Sequence, residues 1–337
     1  MKIDIILEAG TRPEDVAALA EIAEQNGIHT LWSSAFAARR DPLVGLALAA
    51  TRTEKLRLGY MPVSSFEQQP MKIADGLLTL NELSGGRAAI LLGGLGKSSM
   101  MAMGLEPARR VTATRESVEI VKGAASAQFL SYKGDIYQAQ GDYASWVTQQ
   151  PPLVYVAANR ELMLRKTAPF ADGVMFSDIT AEHLPGVLGH LDEGLHATGK
   201  SRDQFRVNNF WAWHVKQDKQ SAINEARQEL VWRGALQREH IEQFIDPDEC
   251  DLVEAKWQNF LQSFIQKTPK IEDVPDSIIE RLVDGLTLTG DLDDVDQIAE
   301  RLRAMKAAGQ TEIALRMHAD PAEAIQIIGQ HLIPRLS

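Results

Sequence analysis

Three ionisable side chains stand just beyond buried apolar runs, where a protein keeps groups that must hold or release a proton. Glu8 follows KIDIIL, His214 ends NNFWAWH, and His318 follows EIALRM. A carboxyl or imidazole in such a place can act as general acid or base near neutral pH, which makes Glu8 and His214 candidate catalytic residues and His318 a candidate substrate contact. The ordinary alternatives are a salt bridge from Glu8 to a neighbouring loop and hydrogen-bonded histidines at strand ends. A second kind of chemistry belongs to the backbone of residues 81–97, NELSGGRAAILLGGLGK. Here a helix stops at Ser84-Gly85-Gly86, an apolar strand follows, and a glycine cluster of Gly93, Gly94 and Gly96 comes after it. Glycines after a buried strand let backbone N–H groups approach a ligand closely.

Other chemistries find little support. No His pair at helical spacing has an adjacent Glu, and the one cysteine, Cys250, sits in acidic DPDEC, so neither a metal site nor a reactive thiol is expected. Ser84 shows no nucleophile-elbow pattern. With 35 basic against 46 acidic residues the net charge is −11, which gives a nucleic-acid or anionic-membrane partner no support. The amino-terminal apolar run is too short for a signal peptide or a membrane span, so the expected location is cytoplasmic and the expected partner a small-molecule substrate.

These residues are positioned by a repeated unit of strand, helix, glycine stop and strand. Apolar strands are expected around Ile5, Leu31, Leu58, Ile90, Tyr155, Met175, Phe210 and Ala314. Between them run helices such as those opened by Pro13, Pro42 and Pro70, and one over 110–121 with Gly123 just beyond its end. Eight buried strands alternating with helices predict a (β/α)8 TIM barrel, as one domain over 1–337, rather than an open doubly wound sheet. Insertions interrupt the rhythm at 126–150, with a hairpin turning at Lys133-Gly134, and at 232–288, a long polar helical stretch of the kind that covers a barrel mouth or contacts another subunit.

A barrel gathers its chemistry at the carboxyl ends of its strands. The residues expected there are Glu8; Ser33 and Ser34; Met61, Pro62, Val63 and Ser64; Gly93 to Lys97; Ala158 and Asn159; Ser177 and Asp178; His214; and His318. Ser33, Ser34 and Ser177 join His318 as candidate substrate contacts. Met61-Pro62 ends a buried strand, and either a bulge or cis bond that turns the backbone inward or a trans proline that stops the strand would suit it.

The motifs resemble those of the bacterial-luciferase-like flavin and deazaflavin oxidoreductases, especially the branch containing methylenetetrahydromethanopterin reductase. The resemblance covers nearly the whole chain. It is carried by NELSGGRAAILLGGLG with the following MGLEP and Arg115-Glu116, by PPLVYVAAN and FADGV, and by LTGDLDDVDQIAERLRAMKAAGQTEIAL near the carboxyl end. It implies a non-closed or elongated barrel, often dimeric, that binds coenzyme F420 or FMN in its mouth. By the same resemblance the bulge position Met61, Pro62, Val63 and Ser64 backs the cofactor ring, and Gly93, Gly94, Gly96, Ala158 and Asn159 handle its side chain. Glu8 is similar in location, though not in register, to the acid on the first strand of the pterin reductase.

Two departures stand out. The Asp-His pair that many deazaflavin members carry after the second strand is matched here by Ala35 and Phe36, and the glycine-rich turn after the fifth strand reads Ala157-Ala158-Asn159. The resemblance implies hydride transfer between a deazaflavin or flavin and a small organic, pterin-like substrate. The alternatives are an FMN-dependent monooxygenase fed by a separate reductase, and a cofactor-free barrel that serves as a binding or structural subunit.

Overall fold

A computed structural model describes residues 1–36, 39–93 and 97–336. Its strands are β1 (Lys2–Leu7), β2 (Thr30–Ser34), β3 (Arg57–Val63), β4 (Ala88–Leu92), β5 (Leu130–Lys133), β6 (Gln138–Asp142), β7 (Leu153–Ala157), β8 (Gly173–Ser177), β9 (Arg206–Val215), β10 (Thr287–Gly290) and β11 (Glu312–Arg316). Parallel pairing runs β1-β2-β3-β4-β7-β8-β9-β11 and returns to β1, so eight strands form a closed ring. The barrel is therefore closed, which sets aside the non-closed form that the family resemblance allowed. The eight ring strands contain the eight residues around which strands were expected.

Both faces of each ring strand are buried, for different partners. Ile5, Leu7, Leu31, Leu58 and Ile90 face the helical layer, while Ile6, Trp32, Met61, Ala89, Leu91, Tyr155 and Met175 fill the lumen. Alternation on β1 puts Asp4, Ile6 and Glu8 on one face, and on β11 it does the same for Glu312, Ala314, Arg316 and His318. Trp32 is the largest part of the plug, edge-on to Tyr155 with ring centroids 5.4 Å apart. It explains Gly59 on the adjacent strand, where a Cβ would lie 2.3 Å from the indole.

Below the plug lies a polar floor. Asp4 accepts hydrogen bonds from Trp32 Nε1 at 3.2 Å and Asn208 Nδ2 at 2.7 Å. Glu312 accepts from Tyr155 Oη at 2.7 Å and pairs with Arg206. Buried carboxylates are tolerated there because donors surround them.

The glycine stop behaves as its sequence requires. Helix Pro70–Leu83 ends with Gly85 and Gly86 at φ of 65° and 84°, and the Gly86 N–H returns to the Asn81 carbonyl at 2.8 Å. Arg87 then donates to the Leu56 and Thr53 carbonyls, at 2.6 and 2.7 Å, and so ties this stop to the start of β3.

Three details differ from the sequence reading. Gly123 lies inside helix Arg110–Ala124 instead of beyond it; a Cβ there would come 2.6 Å from the Leu130 side chain, so the glycine serves close packing and not a helix stop. The insertion ends in β10, a ninth parallel strand that pairs Thr289 with His214 beside the outer half of β9. Between helix Lys219–Glu229 and that strand the insertion packs a core of its own, with Phe260, Ile279 and Leu282 buried in it. Trp211 and Trp213 face the outer layer, with the Arg301 guanidinium 4.5 Å above the Trp211 ring. Among the described residues no helix is long and apolar enough to cross a membrane.

Candidate active site

The mouth has two unlike sides. On one, β3 loses register between Tyr60 and Val63, and the Met61-Pro62 bond is cis. The Met61 carbonyl accepts the Ala35 N–H at 2.6 Å and the Val63 carbonyl accepts the Gly93 N–H at 2.8 Å, so the irregular stretch is held from both flanks. The Met61 side chain enters the lumen, Val63 packs into the outer core, and Ser64 is buried with its hydroxyl accepting the Phe66 N–H at 3.2 Å. Gly93 has φ of 90°, a conformation that favours glycine. Gly94 and Gly96 lie outside the described residues.

The 126–150 hairpin supports this side. Buried Glu116 accepts the N–H groups of Asp135, Ile136 and Tyr137 at 2.7, 3.0 and 2.8 Å, and the Tyr137 hydroxyl donates to the Ser65 carbonyl at 2.7 Å. Gly134 is required beneath it, since a Cβ there would lie 2.4 Å from the Glu116 carboxylate.

Two, three and four strands round the ring from β3, the ends of β1, β11 and β9 gather the ionisable groups. Glu8 forms an ion pair with Arg316, whose Nε and Nη2 both reach Oε1, at 2.8 and 2.7 Å. His214 Nδ1 donates to Glu225 at 2.8 Å, which fixes the tautomer and leaves Nε2 bare. Its ring stacks on His318, centroids 4.4 Å apart and 16° from parallel. Burial lowers the pKa of His214 against the pull of Glu225, and burial together with His214 and Arg316 holds His318 well below the usual imidazole range. The stack is therefore two neutral rings.

Glu229, at the end of helix Lys219–Glu229, completes the cluster and was not among the expected residues. Its Oε2 lies 3.6 Å from His318 Nδ1, and among the described residues it makes no closer polar contact. Burial pushes its carboxyl up to about 7, against the nearby Arg316 charge. Nothing in its spacing marks it; it is one of two Glu residues on a polar helix, singled out only by where the helix packs.

The remaining expected residues divide. Asn159 exchanges two hydrogen bonds of 2.9 Å with the Ser177 backbone, so its amide clamps β7 to β8. Ala158 is buried beside it, with its N–H on the Met175 carbonyl at 3.2 Å. The Ser177 hydroxyl donates to Asp178 at 2.9 Å. Ser34 shares the lumen face of Trp32, whereas Ser33 lies on the outer side with Val16 and Pro42. Among the described residues no three potential metal ligands come together.

This arrangement can back a planar group against one wall of the mouth and manage a proton at the other. Likeness to known proteins bears on the family and the fold. A 5,10-methylenetetrahydromethanopterin reductase of Archaeoglobus fulgidus is 26% identical over 324 residues, covering 94% of each chain. The F420-dependent tetrahydromethanopterin reductase of Methanopyrus kandleri superposes with a TM-score of 0.82 at 21% identity, covering 100% of this chain and 99% of that one. An F420-dependent secondary alcohol dehydrogenase, solved with an F420-acetone adduct, gives 0.75 at 16% identity, covering 100% and 99%. The chain matches the luciferase-like monooxygenase family over residues 2–312 and belongs to it.

Proposed function

We propose that the chain transfers hydride between coenzyme F420, bound in the barrel mouth, and a small organic, pterin-like substrate. The observation that carries this reading is the mouth itself: an irregular wall at 61–64 facing, across the ring, a carboxyl pushed up to about 7. The Archaeoglobus relative, alike over nearly its whole length, supports the substrate class.

The residues fit a planar cofactor. Met61 to Ser64 form a wall pinned by Ala35 and Gly93, and the Gly93 turn presents backbone without a side chain. In this reading residues 61–64 back the ring, Gly93 and Ala158 border its side chain, and Asn159 holds the β7 and β8 ends in register behind it. When bound, the deazaflavin supplies a ring that takes up or releases hydride.

The chain's own part is the proton. Near pH 7 Glu229 is present both as acid and as carboxylate, which suits a group that must donate and be recharged. Glu8 is already paired with Arg316, so it serves to fix that arginine in the mouth. His214 and His318, neutral and stacked, form an uncharged surface beside Glu229 that disfavours its ionisation.

The test is binding followed by turnover. F420 and FMN are titrated by fluorescence, and then methylenetetrahydromethanopterin is offered with the coenzyme that binds. Micromolar F420 binding and a turnover loss of about 100-fold or more in Glu229→Gln are expected. Failure of both cofactors to bind, or full activity in the variant, rejects the reading. The family's description as luciferase-like monooxygenases favours one alternative, FMN chemistry that consumes oxygen with a separate reductase. FMN binding with oxygen-dependent turnover would establish it.

The chain is also inferred to act as a cytoplasmic homodimer. Helices Pro42–Ala50 and Pro70–Leu83 expose Val44, Leu48 and Leu83 along one outer groove, an apolar surface of the kind a second copy covers. Light scattering of Val44→Glu against the parent tests this, with dissociation expected.

A further inference from the structure

Arg233 is 1% exposed, yet only part of its guanidinium is satisfied. Nη1 donates to Asp178 Oδ1 at 3.1 Å, while Nε and Nη2 have no partner. Those two nitrogens form the side-on edge of the guanidinium, whose parallel N–H bonds match the two oxygens of a carboxylate. The ring of Phe210 lies 5.0 Å beneath the guanidinium carbon. A buried cation with its best edge empty is an expensive arrangement unless something occupies that edge at another stage.

The surroundings hold Arg233 firmly by its other side. Asp178 has φ of 59°, and its Oδ2 accepts the Gly234 N–H at 3.1 Å and the Ser177 hydroxyl at 2.9 Å. Gly234, Ala235 and Leu236 follow with φ of 54°, 52° and 52°, two of them residues that rarely adopt that conformation. A turn so unfavourable persists only because the pairing on both sides over-determines it.

One carboxyl in the mouth, Glu229, has no Lys or Arg within ion-pair distance among the described residues, and Arg316, whose charge acts on it most strongly, is already paired with Glu8. Glu8 has Arg316, and Glu225 has Lys216 at 3.1 Å and His214 at 2.8 Å. Glu229 stands four residues before Arg233, one helical turn in sequence, and each feels the other's charge. We propose that Asp178 parks Arg233 with its side-on edge free, and that this edge is the counter-ion of the Glu229 carboxylate once the proton has left. Arg233 and Asp178 are then positioning residues that set the protonation of Glu229. This deepens the proton-donor reading above and rests on it for its catalytic meaning, while the pairing is argued from the empty Arg233 edge, the Glu229 carboxyl without a close cation and the charge effect of each on the other.

Two opposite changes follow. In Asp178→Asn the Arg233 charge is no longer shared and acts more strongly on Glu229, so the carboxylate is favoured. In the double variant Asp178→Asn, Arg233→Gln the cation is gone, and the neutral acid is favoured.

Besides Arg233, the titratable and charged groups that act on Glu229 are His318, Arg316, Glu8 and Glu225, and all stay in place. The full-length protein, labelled with 13C at glutamate carboxyls and free of any cofactor, is titrated by NMR, with Glu229→Gln identifying the resonance. The midpoint, near pH 7 in the parent, is expected to fall by roughly one pH unit in the single variant and to rise by a similar amount in the double. A midpoint that is unchanged in both, or moves the same way in both, overturns the proposal. Should the single variant not fold, the double one, which buries no unpaired charge, decides alone: an unchanged or lowered midpoint overturns it. Opposite shifts with full turnover in Glu229→Gln would keep the counter-ion pair and remove the proton-donor reading. Loss of turnover with a midpoint indifferent to Arg233 would do the reverse.

Discussion

The floor and the mouth of this barrel are built on the same strands and treat charge in opposite ways. On β1 and β11 the lumen-facing residues at the lower end are Asp4 and Glu312, and those at the upper end are Glu8, Arg316 and His318. Below, each carboxylate accepts hydrogen bonds from at least two side chains. Above, Glu229 has only a 3.6 Å approach from His318, Arg233 has an empty edge, and both stacked histidines have a bare Nε2. Burial is common to both ends, so burial does not mark function here. What separates the two ends is the pairing of their charged groups: the floor carboxylates are fully engaged, whereas Glu229 and Arg233 are left short of partners and can still gain one.

Breaking the floor should be the most damaging to the fold. Glu312→Ala leaves Tyr155 and Arg206 without their acceptor and is expected to lower stability by about 3–5 kcal/mol in urea unfolding. A loss below about 1 kcal/mol would show that water replaces the carboxylate and that the floor is not sealed.

The mouth should show its incompleteness through pH. The Glu229 carboxyl holds its proton more tightly folded, at about 7, than at its ordinary 4.5. Its contribution to stability is therefore full below about pH 4.5 and is lost as pH rises through about 7, at most about 3 kcal/mol in all. Glu229→Gln should remove that slope, so the variant gains on the parent between pH 5 and pH 8. Parallel stability profiles would mean that Glu229 is ordinary.

Between floor and mouth stands the Trp32 plug. Gly59→Ala places a methyl group 2.3 Å from the indole and is expected to cost about 1–3 kcal/mol in thermal or urea unfolding, with Trp32→Leu restoring much of it. Independent effects of the two changes would mean that the plug moves aside freely. The smallest effect is expected at Glu8→Gln: its side chain is 40% exposed, and the pair with Arg316 should contribute under about 1 kcal/mol. A turnover loss as large as that of Glu229→Gln would transfer the acid role to Glu8.

Much of this was legible beforehand, and the part that was not has a common cause. Eight strands, the glycine stop at 84–86, the hairpin and the rim positions of Glu8, His214 and His318 follow from local pattern, because apolar runs and glycines act through their own neighbours. The cis bond at Met61-Pro62 was one of two open readings. Ser33 was expected at the substrate and lies on the outer side, a matter of strand parity that a one-residue shift in register reverses. Glu229, Arg233 and β10 escaped notice because their importance comes from contacts made across the insertion. A Glu at the end of a polar helix and a short TLTG strand carry no local signal.

The insertion leaves the barrel after β9 and, through β10, comes back to β9. Its two feet stand on one strand, with Glu229 and Arg233 at the near foot and Thr289, in register with His214, at the far one. A segment that closes on its own starting point can grow, shrink or be exchanged at a cost that rises only with the logarithm of its length. The barrel is thus free to change the far part of what hangs above its mouth, whereas a change at the near foot would also move Glu229 and Arg233.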